Sequence, residues 1–386
     1  MEFALNKEQK DIVKAAREFA AKEFTDVAQD FDRNESFDST LWKKACELGF
    51  VGVFIDEKYE GIGYGHLEQC LIAEEFFAVD PGIGMAILFS CFGAELLDLF
   101  GTEDQKRMVL PGLVSGQVRL AMAIMESESG VDIGSLETTA ANRGDYWEIN
   151  GKKSFVTGGD VADYICVLTS TGPEDSLPER GLSFLMVPAD TPGLSTRRLR
   201  GKLGIRAAGA AELSFSSVRV PASNLIGKPG EGFDAVSRFF GRIYPTVAAM
   251  AVGTARAAME EALSYTNKRH AFGVPISSFR ATQGKLMEMA TKIRAARNLY
   301  YEAAWSVDNG IEDSALSAMA RRYAGEVGVR CADEALQMHG GYGYIDEYKV
   351  QRIYRDAKVL EIWEGVREME RYMIGRAVGW KEERKS

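Results

Sequence analysis

The chain has 386 residues, of which 46% are hydrophobic and 26% charged, with a formal net charge of -10. That length exceeds one ordinary hydrophobic core, so two or three packed domains are expected, and the composition excludes a mainly disordered or fibrous chain. The acidic balance repels a polyphosphate backbone over long range, which argues against a nucleic-acid partner and requires any phosphorylated ligand to be held by a local group of donors. Cys46, Cys70, Cys91, Cys166 and Cys331 are scattered without CxxC spacing, which suits a reducing compartment, and a cytoplasmic location is expected. With a polar start, a cleaved secretion signal is not expected, and no apolar run reaches spanning length before a Gly, Glu or Arg interrupts it, so no membrane span is expected.

From Lys7 to about Val118 apolar residues recur at helical spacing, as in Ile12, Ala16, Phe19 and Leu41, Ala45, Leu48, which predicts an N-terminal helical domain over 1–119. The glycine-rich stretch Tyr59 to Gly65 follows no β-branched strand of useful length, so it makes a weak dinucleotide loop. Between residues 120 and 226 the pattern changes to short β-type runs, including 147–149, 154–157, 164–168, 182–187 and 213–215. Asn150-Gly151, Gly158-Gly159 and Thr191-Pro192-Gly193 punctuate them as turn signals. From 227 to 386 the helical period returns in long faces such as Leu286, Met289, Ile293, Ala296, Tyr300. The fold class expected is α+β, mainly α: helical domain, β-barrel-like middle domain, helical bundle, with a cofactor crevice at their junction.

His66, His270 and His339 form no HxxxH or HExxH pair, so a catalytic metal has little support. No GxSxG elbow is present either, which removes the common hydrolase reading. The unusual cluster is Gln337 to Tyr344 (QMHGGYGY), followed by Tyr354 to Lys358 (YRDAK) and Ile362-Trp363-Glu364-Gly365. A lone Gly-Gly more often simply ends a helix. Local sequence alone favours a solvated Glu364, yet Ile362 and Trp363 before it offer apolar surroundings that would raise its pKa and strengthen it as a base.

Over essentially its whole length the chain resembles the acyl-CoA dehydrogenase family. The motifs that carry the resemblance are Met125 to Asp132, Asn150 to Thr157, Lys202 to Arg206, Val218 to Pro221, Arg269 to Gly273, Gln337 to Tyr344 and Tyr354 to Gly365. The resemblance implies a homotetrameric flavoprotein with FAD as hydride acceptor, an acyl-CoA thioester as substrate, and an electron-transferring flavoprotein as partner. It places Glu364 as the catalytic base, with no proton acceptor at the alternative family position, Ile243. It also places Met122, Ile124, Met125, Val131, Phe155, Val156 and Thr157 against the flavin, with the Thr157 hydroxyl near N5. Arg269 from a neighbouring subunit would meet the diphosphate, and Phe272, Arg280, Gln337, Met338, Gly340, Gly341, Val366 and Glu368 would complete the cofactor site. Val131, Gly241, Tyr244, Leu88, Trp363 and Gly365 would face the substrate.

Departures from the family pattern fall near that substrate. Met125 opens a segment that usually begins with Thr, and Val131 stands where a small hydroxyl residue is common. Gly241 and Tyr244 replace an Asp-x-x-Arg pair, Val366-Arg367-Glu368 replaces a Thr-Ser/Ala-Gln/Glu run, and Arg280 stands for a Gln. Together with Trp363, Met122, Leu88, Cys91 and Phe92, these point to a compact, branched or alicyclic acyl group. The alternatives are a reductase running in reverse, a fold-related flavin oxidase or monooxygenase, and a non-catalytic CoA-ester binding protein.

Overall fold

The computed structural model describes residues 4–129, 132–172, 181–363 and 367–380, with side chains for all of these but Arg367 and Glu368. The N-terminal region holds α1 (Lys7–Phe24), α2 (Ala28–Asn34), α3 (Ser39–Glu47), α4 (His66–Val79), α5 (Pro81–Leu88), α6 (Ala94–Phe100) and α7 (Glu103–Val114). Helix α1 starts at a capping box: Gln9 N–H donates to Asn6 Oδ1 at 2.8 Å, and Asn6 N–H to Gln9 Oε1 at 3.0 Å. Its apolar stripe packs on α4, where the Phe76 ring meets Phe24 at 5.2 Å and Phe19 at 5.6 Å. Helix α4 is buried nearly all round because α1, α8 and α9 cover it.

The middle region is one eight-stranded mixed sheet built from β1 (Leu120–Ala123), β2 (Thr139–Asn142), β3 (Tyr146–Thr157), β4 (Tyr164–Ser170), β5 (Leu182–Pro188), β6 (Leu194–Arg198), β7 (Ala210–Pro221) and β8 (Leu225–Ile226). The order is β6-β7-β3-β2-β4-β5-β8, with β1 parallel to β4. Asn150-Gly151 is not the turn its sequence suggests. It is a bulge within β3, where the register against β7 shifts between Ile149 and Gly151. Asn150 Oδ1 accepts the Ser217 N–H at 2.8 Å, and a Cβ on Gly151 would stand 2.6 Å from the Thr138 backbone, so the pair serves the bulge.

The C-terminal region opens with α8 (Gly232–Lys268) and continues through the short hairpin β9 (His270–Ala271) and β10 (Val274–Pro275) to α9 (Arg280–Asp308), α10 (Ser314–His339), α11 (Lys349–Ile362) and α12 (Arg367–Ala377). Helices α8 to α11 form a bundle. Tyr244 and Arg321 meet near one end, and Tyr265 stacks on His339 at 4.2 Å near the other, so α8 and α10 run parallel. With 37 residues, α8 is about 55 Å long. Among the described residues no helix is long and apolar enough to cross a membrane.

The three regions are locked at the Lys202–Arg206 loop. Ile205 N–H donates to Asp356 Oδ1 at 2.6 Å, Arg352 Nε donates to Asp80 Oδ2 at 2.9 Å, and Asp80 Oδ1 also caps α5 at the Ile83 N–H. Arg355 reaches Asp32 Oδ2 at 2.6 Å and the Leu203 carbonyl at 2.9 Å. A Cβ on Gly204 would lie 2.4 Å from the Arg355 carbonyl oxygen, so only glycine lets this loop approach α11. Burial first, and then the neighbouring Asp80 charge, push the Asp356 carboxyl up to about 7. Because the folded pKa exceeds the unfolded one, this group favours folding at low pH and loses that contribution as pH rises towards 7. Asp356→Asn keeps an acceptor for Ile205 but carries no charge. The Tm of the variant relative to wild type is therefore expected to climb between pH 5 and pH 8, and a constant difference over that range contradicts the assignment.

Candidate active site

The end of β3 is shaped by a buried cation. Lys153 Nζ donates to Glu126 Oε1 at 2.7 Å and to the Ile124 carbonyl at 2.9 Å. Glu126 also accepts the backbone N–H groups of Glu137 at 2.7 Å and Thr138 at 3.1 Å. Burial pushes the Lys153 ammonium down to about 8 while the Glu126 charge holds it up. Against burial, the Lys153 charge and these hydrogen bonds hold Glu126 below the usual carboxylate range. The register against β7 shifts again between Lys153 and Val156. Phe155 consequently takes a left-handed backbone (φ 57°) and is 70% exposed, while Val156 turns back into the core. Ser154 N–H donates to the Met125 carbonyl at 2.8 Å, which draws the segment after β1 alongside.

Thr157, at the end of β3, meets the C-terminal region directly. The Trp363 indole Nε1 donates to Thr157 Oγ1 at 2.9 Å. The Trp363 ring stands edge-on to Phe89 at 4.5 Å and tilted against Phe92 at 5.4 Å. The seam continues from Phe92 to Phe239 at 5.5 Å, to Phe240 at 5.6 Å and to Tyr244, stacked at 5.3 Å. Buried Arg321 lies over the Tyr244 ring, donates to the Trp363 carbonyl at 2.7 Å, and pairs with buried Glu370.

Leu88 is buried on the same side as Phe89, and Tyr244 is fully buried against Phe240. Gly241 lines a cavity of about 280 Å³ between α8 and the start of α10. Pro245 lacks the N–H that would reach the Gly241 carbonyl. The arginines on that cavity are already engaged, Arg242 with Asp98 at 2.5 Å and Arg238 with Glu312 at 2.9 Å. Met122 and Ile124 are buried, and Met125 is half-buried beside β3.

A second group gathers elsewhere. Arg269, Gln337, Met338, Gly340 and Gly341 line an open crevice of about 950 Å³, where the Arg269 guanidinium lies 5.6 Å from the Tyr342 ring centre. Phe272 is 97% exposed in the turn between β9 and β10, and Arg280 is exposed at the start of α9. Thirty residues of unbroken α8 separate Phe239 from Arg269, a distance of about 45 Å. One chain does not bring the two groups together. Glu364, Gly365, Val366 and Val131, and the side chain of Glu368, lie outside the described residues.

Sequence reasoning missed Phe89, Phe239, Arg321 and the Lys153–Glu126 pair. The available signal for Arg321 was an arginine among Ala318, Ala320 and Ala324 on a helical face, too small to screen it from the interior.

The residues present fit FAD. Phe155 offers an uncovered aromatic face to a flat ring system, and the Thr157 hydroxyl stands beside it. At the other crevice, a Cβ on Gly340 or Gly341 would meet no atom within 4 Å, which leaves backbone open to a diphosphate near a forked cation.

A helical, β and helical chain with an aromatic and polar junction of this kind defines a flavin-dependent oxidoreductase class. Family models described as the acyl-CoA dehydrogenase N-terminal, middle and C-terminal domains match residues 6–117, 121–218 and 230–379. A probable acyl-CoA dehydrogenase of Bacillus subtilis (strain 168), YngJ, is 38% identical over 97% of this chain and 99% of its own. Acryloyl-CoA reductase (NADH) of Anaerotignum propionicum is 36% identical over 98% of this chain and 96% of its own. The solved structure of butyryl-CoA dehydrogenase from Megasphaera elsdenii superposes with a TM-score of 0.93 at 34% identity, covering 98% of this chain and 100% of that one. The chain belongs to the acyl-CoA dehydrogenase family, whose members depend on FAD.

Removing one partner of a buried ion pair leaves a stranded charge and costs about 3–5 kcal/mol. Arg321→Met is expected to lower unfolding stability in urea by that amount, and adding Glu370→Leu should recover most of it. An Arg321→Met variant as stable as wild type contradicts the clamp.

Proposed function

We propose that this protein removes two hydrogens across the α and β carbons of an acyl-CoA thioester, with Glu364 as the base. The observation that carries this reading is the hydrogen bond from Trp363 to Thr157, because it sets the residue before Glu364 against the exposed Phe155 end of β3. Bound there, FAD supplies the hydride acceptor. The Glu364 carboxylate takes the α-proton, and its backbone N–H polarises the thioester oxygen on which negative charge develops. Arg321, through the Trp363 carbonyl, fixes the chain just before the base. The aromatic seam excludes water, which strengthens each of these interactions.

The acyl group is compact, branched or alicyclic. Phe89, Phe92, Phe239 and Trp363 wall the side of the junction where Leu88 and Cys91 are also buried, so apolar volume is already filled by protein. The coenzyme A end runs past Gly241, where Arg238 and Arg242 are held by Glu312 and Asp98 and the Asp-x-x-Arg pair is absent. The reverse direction uses the same residues, and the similarity to an acryloyl-CoA reductase keeps it as the second reading.

The working form is a cytoplasmic homotetramer that passes electrons to an electron-transferring flavoprotein. The support for assembly is distance. A dinucleotide is far shorter than the roughly 45 Å between Phe239 and Arg269, so Arg269 and the open glycines serve the flavin of another copy. Arg269→Ala is expected to lose FAD on gel filtration while keeping its oligomeric state by light scattering. A monomeric wild type that holds FAD tightly contradicts the shared site.

The direct test of the base is Glu364→Gln, which keeps shape but accepts no proton. It should bind FAD and acyl-CoA, yet its anaerobic flavin bleaching should slow by on the order of a thousandfold or more. Bleaching near the wild-type rate removes Glu364 from the role.

A further inference from the structure

Thr157 and Trp363 form a one-way hydrogen bond. An indole N–H only donates, whereas a hydroxyl has one proton to give and two lone pairs to receive with. Trp363 Nε1 therefore fills one lone pair of Thr157 Oγ1, at 2.9 Å, and Thr157 cannot answer by donating back. Among the described residues no acceptor receives the Thr157 hydroxyl proton, although the residue is buried at 8% exposure. Thr157 lines a partly open pocket with Phe89 and Gly158, so this proton is free to be given to a ligand that enters there. Donation from the indole also polarises the hydroxyl and makes it a stronger donor.

The indole has little freedom to give this bond up. Phe89 meets it edge-on at 4.5 Å, Phe92 packs against it at 5.4 Å, and Arg321 holds its carbonyl at 2.7 Å. A phenylalanine here keeps the ring contacts but loses the N–H. A tyrosine carries a hydroxyl that both donates and accepts, so it fixes no direction.

We infer that Trp363 is a positioning residue that locks the Thr157 hydroxyl as a donor towards the N5 edge of the flavin. The inference rests on the reading that FAD lies against this end of β3. Oxidised N5 offers a lone pair, whereas reduced N5 carries a hydrogen and needs an acceptor. A hydroxyl locked as donor therefore favours the oxidised form and holds the reduction potential down. Trp363 thus sets the ease with which electrons leave the flavin, in addition to walling the substrate side.

The test uses the FAD-loaded protein and reads the two-electron midpoint potential by dye equilibration, together with the dissociation constant for FAD. Trp363→Phe should move the oxidised–reduced equilibrium threefold to tenfold towards reduced, where tenfold corresponds to about 30 mV for a two-electron couple. Thr157→Val should shift it at least as far, and the double variant no further than Thr157→Val alone. Benzothienylalanine in place of Trp363 exchanges N–H for sulfur with nearly unchanged shape, and should reproduce the Trp363→Phe shift even if that variant folds poorly. The inference is overturned if Thr157→Val moves the potential while neither change at 363 does, or if the two sites are simply additive. If Thr157→Val alters neither potential nor FAD affinity, the flavin does not lie at this end of β3, and the functional reading fails with it.

Discussion

A lysine ammonium buried at the end of β3 is the constraint from which the site follows. Lys153 cannot lie in an apolar interior without partners, so it draws in the Glu126 carboxylate and the Ile124 carbonyl. Those partners sit just beyond β1, and the pair ties that segment to β3. The register slip beside Lys153 then turns Phe155 outward and returns Val156 inward. Thr157 ends the strand facing Trp363, with a hydroxyl proton that none of the described residues accepts. One buried charge, held by a carboxylate and a carbonyl, thereby gives a flat ligand an aromatic face and a polar edge close together.

The helical regions supply what the sheet cannot. Asp356, Arg352 and Arg355 on α11 hold the Lys202–Arg206 loop, the cap of α5 and α2 in one frame. The same helix ends at Ile362 with Trp363 as its cap, so the lock that joins the domains also places Trp363. Helix α8 acts as a spacer. Its Phe239 end packs into the aromatic seam, and its far end leads to Arg269, about 45 Å away.

The change from helical to strand pattern near residue 120 and back near 227 was plain in the sequence, because period 3.6 and period 2 are hard to confuse over long runs. Asn150-Gly151 misled, because a dipeptide that favours a tight turn also suits a bulge, and only the pairing with β7 decides between them. Thr157 and Trp363 were named through family motifs, but the bond between them was invisible, since 206 residues separate them. Phe89, Phe239 and Arg321 look ordinary in sequence and matter only through the rings and carbonyls they meet after folding. Glu364 rests on the motif and on its neighbours, as it lies outside the described residues.

We propose that this junction oxidises acyl-CoA thioesters of compact shape. The most direct measurement is anaerobic stopped-flow bleaching of the purified flavoprotein near 450 nm, a wavelength set by the flavin, against propionyl-, isobutyryl-, butyryl-, cyclohexanecarbonyl- and octanoyl-CoA. Rapid bleaching by one or more of the compact thioesters is expected, with at least tenfold slower bleaching by octanoyl-CoA. Bleaching by none of them, or fastest bleaching by octanoyl-CoA, contradicts it.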